Sequence, residues 1–113
     1  MAKLDISPEA QSDLHSIKEY IATELENPSA ALNTVSGITK AIRRLRTFPD
    51  MGAPLAAIVD IPNDYRFLVY GSYLVIYRHE GNTVFVLRVF YGRRDYLKIL
   101  FGDAPEGGPE PTE

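Results

Sequence analysis

Apolar residues in the first half of the chain recur at intervals of three and four, which is the period of one helix face. The two stripes comprise Ala10, Leu14, Ile17, Ile21 and Leu25, then Leu32, Val35, Ile38, Ile42 and Leu45. Ser7-Pro8 and Asn27-Pro28 each place a capping side chain before a proline, a pattern typical of a helix start. The pattern predicts two helices of about 18–20 residues each, the second ending near Phe48-Pro49. Gly37 interrupts the second stripe, and we expect the two helices to approach closely there.

Strand-like segments flank the helical pair. "KLDI" precedes it, and four β-branched or aromatic runs follow it: "AAIVDI", "YRFLVY", "YLVIYRH" and "TVFVLRVFY". Gly71-Ser72 and Gly81-Asn82 have the chemistry of two-residue hairpin loops. Because the link between the helices is short, they should form an antiparallel hairpin. The order predicts an α+β fold with an N-terminal strand, a two-helix hairpin, an antiparallel β-meander and a short C-terminal helical turn in "RRDYLKILF".

The two hairpin loops set a trial register that divides the strands into two faces. One face, nearly all apolar and predicted to cover the helices, consists of Tyr65, Phe67, Val69, Leu74, Ile76, Arg78, Phe85, Leu87, Val89 and Tyr91. The other face, predicted to be open, consists of Arg66, Leu68, Tyr70, Tyr73, Val75, Tyr77, His79, Val84, Val86, Arg88 and Phe90. Arg88 would then tolerate its mid-strand position because it points away from the helices. A structural alternative is that Arg66 and Arg88 pair with acids such as Asp60, Asp64 or Asp95.

Charge is distributed unevenly along the chain. Residues 1–39 sum to −4, residues 40–101 to +5 and the segment from Gly102 to −4, giving a net charge of −3. The last segment, "GDAPEGGPEPTE", has no large apolar residue. We therefore predict one domain over residues 1–101 and a disordered acidic tail over 102–113.

Composition removes several classes of function. The chain has no cysteine, which excludes disulfide scaffolds and cysteine-ligated metals. His15 and His79 lie far apart in sequence, so no metal or cofactor is predicted. No apolar run approaches the ~18 residues of a membrane helix, and the N-terminus lacks the apolar core of a signal peptide. We expect a cytoplasmic protein with no membrane partner.

Several stretches together resemble the RelE/ParE superfamily of bacterial type II toxin–antitoxin toxins, and the ParE-like branch more closely. They are "SPEAQSDL" after the first strand, "LRTFPDMGAPL" after the helices, then "YRFLVYGSYLVIYR" and "VLRVFYGRRDYLKILF". The resemblance covers residues 3–101. It implies the family's fold and a growth-inhibiting toxin, of the kind linked to plasmid stabilization, that a cognate antitoxin neutralises.

Two activities occur on this fold, and the resemblance leaves both open. A ParE-like toxin inhibits DNA gyrase and is not itself an enzyme. A RelE-like toxin is a ribosome-dependent mRNA endonuclease that needs no metal. Leu68 and Leu74 are apolar where further basic residues are expected in RelE-like enzymes, which favours the gyrase inhibitor. An inactive relative that only binds a partner is the third alternative.

Each alternative implies its own site residues. For target or partner binding they are Arg66, Tyr77, Arg88, Arg93, Arg94 and Tyr96. For a ribonuclease they are Arg66, Arg88, His79 and Tyr91. An antitoxin segment is expected in an apolar groove between the helical hairpin and the sheet edge. A homodimer and a toxin–antitoxin hetero-oligomer are both open.

Overall fold

The structure is a computed structural model that describes residues 1–92. Its five-stranded mixed sheet has the order β1-β5-β4-β3-β2. The elements are β1 (Lys3–Ile6), α1 (Pro8–Glu19) continued by a π-helical turn (Tyr20–Glu24), α2 (Pro28–Arg44), β2 (Ala53–Pro54), a 3₁₀ turn (Leu55–Ala57), β3 (Arg66–Tyr70), β4 (Tyr73–Glu80) and β5 (Thr83–Tyr91). The predicted α+β class is confirmed. The predicted C-terminal helical turn, the domain boundary at residue 101 and the tail lie outside the described residues.

Both predicted helix starts are confirmed by their caps. The Ser7 hydroxyl accepts a hydrogen bond from the Ala10 N–H at 2.9 Å, and the Asn27 side-chain oxygen accepts one from the Ala30 N–H at 3.0 Å. Each cap satisfies a backbone donor that the helix leaves unpaired, and such a contact stabilises a helix by about 1 kcal/mol.

The first strand adds to the meander in parallel. β1 pairs with β5 from Lys3 opposite Thr83 to Ile6 opposite Val86. The hairpin-connected strands are antiparallel, as predicted. Between β1 and β5 the chain passes through both helices and three other strands, and a long connection of this kind permits parallel pairing.

A β-bulge in β5 changes the predicted register. Tyr77 lies opposite Val86 as expected, but Ile76 lies opposite Arg88, so Leu87 is an extra residue on its strand. Beyond the bulge, Val75 therefore faces Val89 rather than Arg88. A one-residue insertion of this kind reverses which side chains share a face.

The helices cover the face that was predicted to be open. Ile38 and Ile42 of α2, with Leu45 at its C-cap, pack in one core with sheet residues Val75, Tyr77, Val84 and Val86. The prediction failed because the polar residues of that face, such as Arg66 and His79, lie at its ends, while its centre is apolar. The opposite face is also covered, so apolar content did not distinguish the two.

A loop, rather than a strand, covers that opposite face. "AAIVDI" was predicted to be a strand, but the Ile58 and Val59 N–H groups bond back to the Leu55 carbonyl at 3.0 and 3.1 Å. These turn bonds place Leu55 in a second core with Ile76 and Phe90. The turn is favoured over an extended strand because it buries Leu55 completely.

Gly37 makes room for the sheet rather than for α1. A Cβ on Gly37 would lie 1.9 Å from the Tyr70 Oη, far inside any real contact. The absence of a side chain therefore allows the Tyr70 ring of β3 to lie against α2.

Candidate functional site

Three of the predicted site residues meet in one polar cluster beside the end of α2. We call Asp50, Gly52, Arg66, Tyr77 and His79 the Asp50 cluster. The β3–β4 pairing places Arg66 directly opposite Tyr77. The loop that follows α2 brings Asp50 and Gly52 against the two strands.

The Asp50 carboxylate joins two of the cluster's basic side chains. Its Oδ1 lies 2.8 Å from His79 Nδ1 and 3.6 Å from Arg66 Nε. Arg66 Nη1 also donates to the Gly52 carbonyl at 2.7 Å. Arg66 and His79 are partly buried, while Asp50 is mostly exposed. A carboxylate that holds one imidazole nitrogen leaves the other nitrogen as a candidate proton acceptor.

Tyr77 holds the loop that contains Asp50 and Gly52 against the sheet. Its ring is completely buried, and its hydroxyl accepts a hydrogen bond from the Gly52 N–H at 2.9 Å. A Cβ on Gly52 would lie 2.7 Å from that hydroxyl, so only glycine fits. Burial raises the pKa of the Tyr77 hydroxyl, and the Gly52 hydrogen bond acts in the opposite direction. With no exposed surface, Tyr77 can influence a partner only through the position of this loop.

Arg88 belongs to a different contact, with α1. Asp13 Oδ2 accepts hydrogen bonds from Arg88 Nε and from the Val89 N–H, both at 2.8 Å. Asp13 Oδ1 accepts a third bond from Arg88 Nη2 at 2.9 Å. This bonding to Asp13 raises the pKa of the Arg88 guanidinium, which also lies 5.1 Å from the centre of the Phe90 ring. The expectation that Arg88 points away from the helices is therefore wrong.

The structural alternative holds in kind, because Arg66 and Arg88 both pair with acids, but these are not Asp60 or Asp64; Asp95 lies outside the described residues. Arg66 pairs with Asp50 and Arg88 with Asp13; Asp64 pairs instead with Arg78, at 3.7 Å. Sequence reasoning missed Asp50 and Asp13. Asp13 immediately precedes Leu14 of the α1 stripe, and an acid at the edge of an apolar stripe is the signal that could have indicated a partner on the sheet.

Tyr91 lies in an apolar groove, away from the Asp50 cluster. Its side chain is 71% exposed, and its ring centre lies 5.4 Å from that of Tyr73. The groove has a volume of about 280 Å³ and is lined by Ser16, Ile17, Tyr20, Ile21, Leu25, Tyr73 and Tyr91. We call this set the apolar groove. It lies between the first arm of the helical hairpin, formed by α1 and the turn that continues it, and the ends of β4 and β5; the antitoxin segment was expected between the hairpin and the sheet edge.

The four ribonuclease candidates are thus divided among three places. Arg66 and His79 meet at Asp50, Arg88 is bound to Asp13, and Tyr91 lines the apolar groove. The binding candidates Arg93, Arg94 and Tyr96 lie outside the described residues.

Two further features are absent from residues 1–92. No group of three His, Cys, Asp or Glu side chains in this part of the chain could hold a metal ion. No helix there combines the length and apolarity that crossing a bilayer requires.

Comparisons with known proteins agree with the fold. The chain is similar to a solved structure described as "Chromosomal ParDE TA system from P. aeruginosa", with a TM-score of 0.69 and 23% sequence identity over 82% of this chain and 98% of that one. At that identity the likeness shows a shared fold. No curated protein sequence is significantly similar. The family model described as "ParE toxin of type II toxin-antitoxin system, parDE" matches residues 4–96. The resemblance inferred from the sequence is confirmed, and the chain belongs to the ParE toxin family of type II toxin–antitoxin systems.

Proposed function

We propose that the protein is a toxin that inhibits DNA gyrase and that a cognate antitoxin neutralises it by occupying the apolar groove. The toxin would meet both gyrase and the antitoxin inside the cell, so this function requires a cytoplasmic location. Toxin and antitoxin would then form a hetero-oligomer.

The apolar groove supports the antitoxin part of the proposal. Tyr20, Leu25 and Tyr91 are each more than half exposed, although they are large and mainly apolar. Neighbouring apolar side chains that a monomer leaves in water are typical of a partner-binding surface. Aromatic rings are also the side chains most enriched at such contacts.

The Arg88–Asp13 contact supports gyrase over mRNA as the target. A nuclease needs a free cation to stabilise charge on the phosphate during cleavage. Arg88 has its guanidinium bonded twice to a carboxylate and placed over Phe90. Its positive charge is already neutralised within the fold, so it is poorly suited to that role.

Purified components test the target directly. We expect the protein to prevent gyrase from supercoiling relaxed plasmid DNA and to leave mRNA on translating ribosomes intact. Charge reversal at Arg93 and Arg94, proposed here as target contacts, should weaken inhibition. The matched control, Lys3→Glu with Lys18→Glu, reverses two charges elsewhere on the chain. Unchanged inhibition by the Arg93/Arg94 variant would remove those residues from the proposed interface.

The Asp50 cluster favours a second candidate, ribosome-dependent mRNA cleavage. His79, held by Asp50 through Nδ1, could accept the proton of a ribose 2′-hydroxyl. The 2′-oxygen would attack the adjacent phosphorus, the bond to the 5′-oxygen would break with that oxygen taking a proton from water, and Arg66 would stabilise the added charge. Cleavage that His79→Gln and Arg66→Gln abolish, without loss of fold, would establish this function. A protein that neither inhibits gyrase nor cleaves mRNA, and whose induction leaves growth unharmed, would be the inactive partner-binding relative.

A further inference from the structure

The C-terminal half of α2 carries an exposed group of cations. Lys40, Arg43 and Arg44 are exposed and spaced to lie on one side of the helix, and the exposed Arg46 lies two residues after the helix ends. We call these four residues the basic face. Within residues 1–92, none of them forms an ion pair.

The sheet arginines are different. Arg66, Arg78 and Arg88 each lie within ion-pair distance of an acid. Cations in the last helical turn complement the helix dipole, which accounts for Arg43 and Arg44 in part. Lys40 lies a full turn earlier, where that effect has faded, so the dipole does not explain the whole group.

The basic face borders two surface cavities. One, of about 450 Å³, is lined by Lys40 and Arg44 together with Ser36, Gly37 and Tyr70 among others. The second, of about 480 Å³, runs from Arg44 to Met51. Arg44 lines both and Lys40 lines the first, so two of the four cations border recesses that a peptide segment could occupy.

The chain leaves the described part of the structure close to this surface. The Gly92 N–H donates to the Ser72 carbonyl at 2.7 Å. Ser72 is in the β3–β4 turn, which directly follows Tyr70. The same Tyr70 lies against Gly37 and lines the cavity beside Lys40. One hairpin turn and one tyrosine side chain therefore separate the exit point from the basic face.

The tail has the charge and the reach to bind there. Its charged residues are Asp103, Glu106, Glu110 and Glu113, with no cation among residues 102–113. Asp103 follows Gly92 by eleven residues, and an extended chain of that length spans at most about 35–40 Å. We propose that the acidic tail, residues 102–113, docks on the basic face of its own chain through ion pairs. This inference is independent of the proposed function.

A tethered acidic segment fits this surface better than a nucleic acid does. Residues 1–92 sum to −1, and α1 presents the acidic residues Glu9 and Glu19 on the same molecule. Affinity for a long polyanion comes from neutralising many phosphates at once, which four cations on an otherwise acidic surface do poorly. A tether, in contrast, holds its segment at an effective concentration of about millimolar.

Docking of the tail would screen the basic face from other acidic segments. Because the contacts are exposed ion pairs, each is weak and sensitive to salt. The tail would exchange rapidly and yield to a partner that presents a larger acidic surface. It would act as a built-in competitor at this face.

A single spin label tests the proposal on the full-length chain. Because the protein has no cysteine, Thr112→Cys places a nitroxide at one position only, between Glu110 and Glu113. In low salt we expect selective loss of amide signals from residues 36–46 of ¹⁵N-labelled protein. The signals should return in about 1 M NaCl, where the Debye length is about 3 Å.

Two charge variants serve as controls. Replacement of the four tail acids by Asn or Gln should abolish the effect, and so should Lys40→Gln with Arg44→Gln. All of these side chains are polar and the α2 pair is exposed, so the amide spectrum should show an unchanged fold. Signal loss that persists in either variant, or in high salt, would overturn ion pairing as its cause.

A mixed sample separates the tail's own chain from a second copy. Spin-labelled ¹⁴N protein is added to unlabelled ¹⁵N protein, so that only contacts between chains can broaden signals. We expect no broadening. Broadening in the mixture, absence of any effect in the labelled chain, or broadening at the apolar groove instead would each overturn the proposal.

Discussion

Asp13 of α1 and Arg88 of β5 are joined by two hydrogen bonds across 75 residues of sequence. The contact occurs where β1 has ended, because Ile6 is the last β1 residue paired with β5. Asp13 then also accepts the Val89 N–H, a backbone donor that β1 no longer satisfies. One carboxylate thus continues the edge of the sheet and fixes α1 to it.

Asp13→Asn should therefore destabilise the protein. It removes the negative charge that compensates Arg88, and the side chains of the two residues are only 15% and 25% exposed. Breaking a fully buried pair costs about 3–5 kcal/mol. For this partly exposed pair we expect a loss of about 1–3 kcal/mol in the free energy of unfolding, measured by urea denaturation. Asp60→Asn, at an exposed position, is the control. Equal stability of the two variants would contradict the structural role of Asp13.

Tyr77 predicts a specific dependence of stability on pH. Burial raises the pKa of its hydroxyl in the folded state, so above about pH 10 the unfolded state loses this proton first. Stability should be independent of this group below pH 10 and should fall as pH rises further. Tyr77→Phe should reduce that slope, and it should also lower the free energy of unfolding by about 1–2 kcal/mol at neutral pH because the Gly52 N–H loses its acceptor.

Tyr91→Phe, which removes an exposed hydroxyl, is the control. It should leave the slope and the free energy of unfolding nearly unchanged. A similar effect from the two variants would refute the role given to the buried Tyr77 hydroxyl.

Gly37 and Tyr70 should be energetically coupled. Alanine in a helix interior is normally more stable than glycine by about 1 kcal/mol, but here the new Cβ displaces the Tyr70 ring. We expect Gly37→Ala to show little or no gain alone and a gain of about 1 kcal/mol in a Tyr70→Ala background. A double-mutant cycle of unfolding free energies measures the difference. Additive effects would mean that Tyr70 does not rest on Gly37 in solution.

The apolar groove gives a matched pair of variants for antitoxin binding. Leu25 lies in the groove and is 56% exposed, whereas Leu32 lies outside it on α2 and is 60% exposed. Leu25→Asp should weaken binding of the purified antitoxin by at least about tenfold, since a buried apolar anchor is worth 2 kcal/mol or more. Leu32→Asp should leave binding unchanged. Equal effects of the two substitutions would move the antitoxin site away from this groove.

The helix starts and the hairpins could be predicted from short sequence patterns, because contacts within a few residues form them. The caps at Ser7 and Asn27 act within one helical turn, so the sequence was enough to locate them. Gly71 and Gly81 adopt positive φ values of 58° and 61°, the conformation that two-residue hairpin loops require. Because glycine adopts it readily, the sequence was enough to locate both hairpins and the first residue pair of each. These features need no knowledge of the rest of the chain.

Contacts between residues far apart in sequence determine the features that the sequence patterns did not predict. The bulge at Leu87 is held by α1 and its N-cap: the Ser7 hydroxyl donates to the Leu87 carbonyl, and the Asp13 carboxylate accepts hydrogen bonds from the Arg88 side chain and the Val89 N–H. Nothing within "TVFVLRVFY" encodes that insertion. The choice of covered face, the role of Arg88 and the convergence of Asp50 with His79 all depended on such contacts, so periodicity alone misplaced or missed them.

Action on DNA gyrase can be measured in living cells by pulse labelling after induction of the protein without an antitoxin. Incorporation of labelled thymidine and labelled methionine is followed over the first minutes in the same culture. If gyrase is the target, DNA synthesis should fall first, while protein synthesis continues. Protein synthesis that collapses before DNA synthesis would contradict that expectation and would turn attention to the Asp50 cluster as a ribonuclease site.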